Sequence, residues 1–226
     1  MTSPARRHFE RVSAALAAAD AGEAPMQGEA FELMQAALFE DYRLLKSTQS
    51  MERKAEIKRE ILPKYAEYIT GVLEAGQGAQ DDVLMRVMLW RIDAGYLAGA
   101  IAIAKYAIKH GLTPPDQFER GTAAIIAEEV ADQALKLLDD DNTNTTELLA
   151  QLEEVEQLTG DADMHDQIRA KLYKALGYAY RATGQLEDAQ ASLERALSLN
   201  DRIGVKKDLE RLERELKQNA AAKPTG

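Results

Sequence analysis

The side chains of this sequence that could do chemistry are carboxylates and cations. There is no cysteine, and the three histidines, His8, His110 and His165, lie far apart along the chain. The missing thiols exclude disulfides, thiolate metal sites and a cysteine nucleophile, and fit a reducing compartment. Each histidine reads as a surface or helix-end residue rather than a ligand. Asp81-Asp82 and Glu128-Glu129 are carboxylate pairs of the sort a two-metal nuclease needs. Adjacent residues on a helix point about 100° apart, however, and do not converge on one ion. The run Asp139-Asp140-Asp141 lacks the alternating oxygens and bend glycine of a divalent-cation loop, and reads as a solvated turn. No phosphate loop, dinucleotide glycine fingerprint, zinc-protease helix or nucleophile elbow occurs, so no catalytic residue, metal ligand or cofactor is assigned.

The cations are more organised. Between residues 43 and 64 seven Lys/Arg (Arg43, Lys46, Arg53, Lys54, Lys58, Arg59, Lys64) face three acids, Glu52, Glu56 and Glu60. If one helix ran through Ser50, then Arg43, Lys46, Lys54 and Lys58 would share a face, with Leu44, Met51, Ala55 and Leu62 on another. A basic face over an apolar back can dock on a phosphate backbone; a solvated face with local ion pairs has the same pattern. The net charge is −10, but it is unevenly spread. Residues 116–170 carry three Lys/Arg against fifteen Asp/Glu, whereas residues 1–70 carry ten against eleven. Acidity concentrated in one block leaves the rest free to meet a polyanion.

The elements that must position these groups are helices, so the expected fold class is all-α. Residues 4–19 form an amphipathic segment with Phe9, Val12 and Leu16 on one side and Arg6, Arg7, His8 and Arg11 around the other. A helix over 29–47 follows, and Pro63 marks a new start. Residues 71–112 hold the single Trp; Val83, Val87, Trp90 and Ile92 repeat at helical spacing, Gly95 breaks the pattern, and Ile101, Ala104, Tyr106 and Ile108 resume it. Thr113-Pro114-Pro115 reads as a hinge. Helices over 122–138 and from Asn144 to Gly160 come next. In 166–199 an echo appears: Gly184, Ala189 and Ala196 repeat Gly95, Ala100 and Ala107. The spacing resembles, weakly, tetratricopeptide helix pairs. The last helix, 202–217, places Val205, Leu209, Leu212 and Leu216 on a heptad seam that suits either an oligomer contact or the chain's own core.

The expected organisation is therefore a basic helical region over 1–64, a helical core over 65–200 with hairpins at 83–110 and 166–199, a heptad helix over 201–218, and a disordered tail over 219–226. No sustained apolar run marks a leader or a membrane span, so a soluble, unexported protein is expected.

Several long segments carry a resemblance to a known family. They are MTSPARRHFERVSAA, the pattern Asp41, Arg43, Lys46, Lys54, Lys58, Arg59, Glu60, Leu62, Pro63, the stretch GAQDDVLMRVMLWRIDAGYLAGAIAIAKYAIKHGL, and the closing GVKKDLERLERELK. Together they resemble the small terminase subunit of peduovirus-type tailed bacteriophages, whose members are often labelled the terminase endonuclease subunit. The resemblance implies an oligomer, often a ring, that works in the host bacterial cytoplasm. It would bind the cohesive-end packaging site on double-stranded viral DNA and recruit the large subunit, which holds the motor and nuclease. With the charge pattern, it assigns DNA contact to Arg43, Lys46, Lys54, Lys58 and Arg59, and secondarily to Arg6, Arg7 and Arg11. Two other classes stay open: a metal-dependent DNA endonuclease subunit, and a tetratricopeptide-like adaptor binding a peptide.

Overall fold

The computed structural model describes residues 3–115 and 120–222, with side chains described through residue 219. Every regular element among the described residues is helical, and the fold is all-α. The chain divides into two compact units, Met1–Thr122 and Ala123–Gly226. The cut falls well after the expected boundary at residues 64/65, because the first helix packs on the fourth and makes the basic region part of the same body.

In the first unit α1 (Pro4–Ala21) starts where Ser3 Oγ accepts the Arg6 amide and Pro4 fills the first turn. α2 (Glu29–Ser47), α3 (Met51–Ile61), a 3-10 turn (Leu62–Tyr65) and α4 (Ala66–Ala75) follow. α5 (Asp82–Asp93) is the centre: Val83, Leu84, Met85, Val87, Met88, Trp90 and Ile92 are all buried. Trp90 meets Tyr65 edge-on, ring centroids 6.1 Å apart. α6 (Leu97–Lys109) returns along α5 after a turn in which Gly95 takes φ 84°, a conformation that favours glycine.

The apolar side of α1 is not its buried side. Phe9 and Leu16 are 70% and 61% exposed, and Val12 is exposed too; the buried residues are Ala14 and Ala18. The reason is the crossing with α4. Gly71 of α4 lies so close that a Cβ there would collide with the Arg11 carbonyl and sit 3.0 Å from Ala14 Cβ. Only a face of small side chains permits that approach, so the alanines turn inward and the bulky residues turn out.

Three further expectations change. α2 and α3 are separate helices, the first ending at Thr48 and the second capped by Ser50 Oγ, which accepts the Arg53 amide at 3.2 Å. The shared face expected across residues 43–58 therefore does not exist. Thr113 is tied back to the turn before α5, its amide donating to Gln80 Oε1 at 2.9 Å and its carbonyl accepting from Gln80 Nε2 at 3.1 Å. A clamped residue does not serve as a free hinge.

The second unit comprises α7 (Thr122–Leu137), α8 (Thr145–Thr159), α9 (Asp166–Ala182), α10 (Leu186–Leu199) and α11 (Lys206–Ala222). α9 and α10 form the hairpin expected over 166–199, and its turn repeats that of α5 and α6: Gly184 has φ 80°, and Ala189 and Ala196, like Ala100 and Ala107, are buried. A tetratricopeptide solenoid needs about three stacked pairs, and each unit holds one such hairpin. The third change is at the end of the chain. α11 continues through Ala222 where a disordered tail was expected from residue 219; residues 223–226 lie outside the described residues.

The heptad seam is filled by its own chain. Val205, Leu209 and Leu212 form one buried cluster with Ala189 and Leu193, and Leu216 packs against it together with Tyr178 and Ile203. An oligomer built on these four residues would first have to open this core. The polar rim closes the same contact: Tyr178 Oη donates to Asp208 at 3.0 Å and Arg181 pairs with Glu215 at 2.5 Å.

Candidate nucleic-acid interface

The eight assigned cations fall into different environments. On α1, Arg6 pairs with Glu10 at 2.9 Å, Arg7 approaches Glu67 at 4.0 Å, and Arg11 makes a two-pronged bond to Glu74, its Nε lying 2.7 Å from Oε2. The last pair holds α1 to the end of α4, so Arg11 has a structural task. The Arg11–Glu74 bond also raises the Arg11 pKa, the carboxylate favouring the charged guanidinium.

On α3 the sequence face splits. Lys58 is 12% exposed and pairs with Asp93 at the end of α5, while Arg59 Nε donates to the Ala94 carbonyl at 3.2 Å. These two dock α3 on the C-terminus of α5, where cations suit the helix dipole. Lys54 is half-buried and has no ion pair among the described residues. On α2, Arg43 is exposed and holds Glu40 loosely at 3.4 Å, and exposed Lys46 stands 6.0 Å from the Tyr42 ring centroid without an ion pair among the described residues. Arg43, Lys46 and Lys54 therefore remain for an external anion, flanking the short connection at residues 48–50.

Two residues that the sequence pattern did not single out join this patch. Phe39 is exposed with Arg43 over its ring at 5.9 Å, and Arg86 of α5 lies over Tyr42 at 5.5 Å. The spacing Gln35, Phe39, Tyr42, Lys46 along one helix face was a visible signal. What it lacked was exposure, since an aromatic at helical spacing reads as core.

Beneath the patch lie two buried carboxylates. Asp41 accepts from Tyr65 Oη at 2.6 Å and from Lys64 at 2.5 Å. Asp81 caps α5, accepting the Leu84 amide at 2.9 Å and Tyr68 Oη at 2.7 Å. Burial pushes the Asp81 pKa up to about 6, against the pull of those hydrogen bonds. Asp82 is exposed to a greater degree than the fully buried Asp81, so this pair diverges. Glu128 shares Lys171 with Asp132, at 3.2 and 2.9 Å. Asp140 turns inward on its own loop, accepting from the Asn142 amide and side chain, which lowers its pKa. Among the described residues no group of three or more His, Cys, Asp or Glu is placed to hold a metal ion, and no helix is long and apolar enough to cross a membrane.

Comparison with known proteins decides the family. The family model of the phage small terminase subunit matches residues 35–167. The chain belongs to the phage small terminase subunit family. Within it, the terminase endonuclease subunit of Escherichia phage P2 is 46% identical over 224 residues, covering 99% of this chain and 90% of that relative. No solved structure matches this small terminase subunit. The family model begins within α2 and covers α3, so it takes in Arg43, Lys46 and Lys54, and it stops short of the heptad helix.

Proposed function

We propose that this phage small terminase subunit works as an oligomer in the host cytoplasm, binds the packaging site of double-stranded viral DNA through α2 and α3, and recruits the large subunit. The observation that carries the DNA assignment is the set of cations left without a strong intramolecular partner, Arg43, Lys46 and Lys54, inside the segment that matches the family. Accessible cations on successive helices neutralise phosphates and release counterions, so binding by this surface is salt-dependent. Lys58 and Arg59 fix α3 to the end of α5 and Arg11 fixes α1 to α4, which holds together the unit that carries the surface; the acidic block over residues 116–170 serves a partner protein rather than DNA.

The test is binding of a labelled packaging-site duplex and a random duplex over a salt series. The double variant Lys46→Glu, Lys54→Glu lowers affinity at least about tenfold at low salt and flattens the logarithmic salt slope by roughly 0.9 for each phosphate it no longer neutralises. Unchanged affinity and slope would remove these residues from the interface. The name of the P2 relative favours a second reading, intrinsic DNA cleavage. Nicking of a plasmid by the purified subunit with magnesium and no large subunit, abolished by a carboxylate substitution, would establish it.

A further inference from the structure

Phe39 is the feature of α2 that phosphate binding leaves unused. It is 61% exposed in the middle of a helix, although a phenyl ring is the kind of group a fold hides. Its surroundings combine apolar side chains, Leu38 and Pro115, with cations. Arg43 lies over its ring, Arg86 and Lys46 lie near the ring of Tyr42, and Phe39, Tyr42 and Arg86 line one depression of about 260 Å3 with Gln35, Leu38 and Asp82. That is smaller than the roughly 300–1,000 Å3 usual for drug-sized ligands, a size suited to a single flat ring.

We infer that this depression is a stacking site for an unpaired DNA base, with Phe39 and Tyr42 as the aromatic surface and Arg43 and Lys46 holding the adjoining phosphates. Aromatic rings beside a cationic groove are how proteins hold single strands without reading sequence, because every base has a stacking face. The charges favour this occupant over an apolar protein surface. Three cations border the two rings, Arg43 at Phe39 and Lys46 and Arg86 at Tyr42, and the only ion pair of Arg43 among the described residues is a loose, mostly exposed one with Glu40 that a phosphate can replace. Asp82 opposes a phosphate at its own end of the depression but accepts a hydrogen bond from an exocyclic base amine, so the base enters and the backbone stays at the cations. The inference rests on the DNA-binding reading above and narrows it to junctions or ends where bases are unstacked.

Three probes separate the outcomes: a labelled single strand of mixed sequence, the blunt duplex of that sequence, and the same duplex with a single-stranded overhang. The full chain is expected to bind the overhang duplex more tightly than the blunt one. Phe39→Ala should weaken single-strand and overhang binding about tenfold and leave blunt-duplex affinity unchanged, and Phe39→Trp should restore it. Lys54→Glu should weaken all three. Helicity by circular dichroism controls for folding, and an exposed position makes loss of fold a small risk. If Phe39→Ala changes nothing, lowers all three affinities alike, or shifts the mass in solution instead, the stacking site is overturned while duplex binding stands. If the wild-type chain binds no probe, both readings fall.

Discussion

Asp81 is the residue whose placement has the clearest measurable effect. A carboxylate in an unfolded chain titrates near 3.9, and in the folded chain Asp81 is held up to about 6 by burial. The native state therefore carries the extra proton between these values. The contribution of this group to stability is fully present below about pH 4 and is lost as pH rises through about 6. Asp81→Asn is expected to shrink the difference in unfolding free energy between pH 4 and pH 7 by about 2–3 kcal/mol relative to wild type, read by urea titration at each pH. An identical pH profile in the variant would mean that Asp81 stays charged throughout. Asp81 was legible in the sequence as one of a pair of adjacent helical carboxylates that do not converge. Its burial under Tyr68 was not, because that bond joins α4 to α5 and no local pattern reports it. The same limit applied to Lys58: its helical position was visible, and its partner Asp93, 35 residues away, was not.

At the scale of elements, two glycines within helices mark the closest approaches, and they respond differently to a methyl group. At Gly177 of α9 an added Cβ meets Cγ and Cδ2 of the buried Leu193 at 2.6 Å and the Ala189 carbonyl at 3.2 Å; at Gly71 it meets the Arg11 backbone carbonyl more closely still. Replacing a mid-helix glycine by alanine gains about 1 kcal/mol of helix propensity. A side chain yields more readily than a backbone carbonyl, so Gly177→Ala should cost less than Gly71→Ala, which overpacking makes destabilising by about 2 kcal/mol net. Thermal unfolding of the two variants checks this; equal melting temperatures would deny the tight α1 and α4 crossing. Helix positions and the two hairpin turns were readable from apolar spacing and from Gly95 and Gly184. The amphipathic pattern of α1 does not fix its inward face: hydrophobicity points to Phe9, Val12 and Leu16, while packing distance selects Ala14 and Ala18. The break after Ser47 is set by a Ser50 cap that competes weakly, in sequence terms, with a run of good helix formers.

For the whole molecule the question is what holds copies together. Leu212 is fully buried inside its own unit, so Leu212→Ala is expected to cost about 2–5 kcal/mol in unfolding free energy. If the seam is intramolecular, as here, that loss is independent of protein concentration; a melting temperature that rises with concentration in wild type and not in the variant would place the seam between copies. The heptad spacing was legible, but spacing alone does not say whose surface fills it. The α1 and α4 contact also has a bearing on biosynthesis. Arg11 and its partner Glu74 are 63 positions apart, and at about 5–20 residues per second a ribosome takes roughly 3–13 s to cover that interval. α1 is translated before α4, so it has no docking site until Gly71 has been made. The α5 and α6 hairpin, closed by local contacts, has no such wait and can form as soon as it emerges.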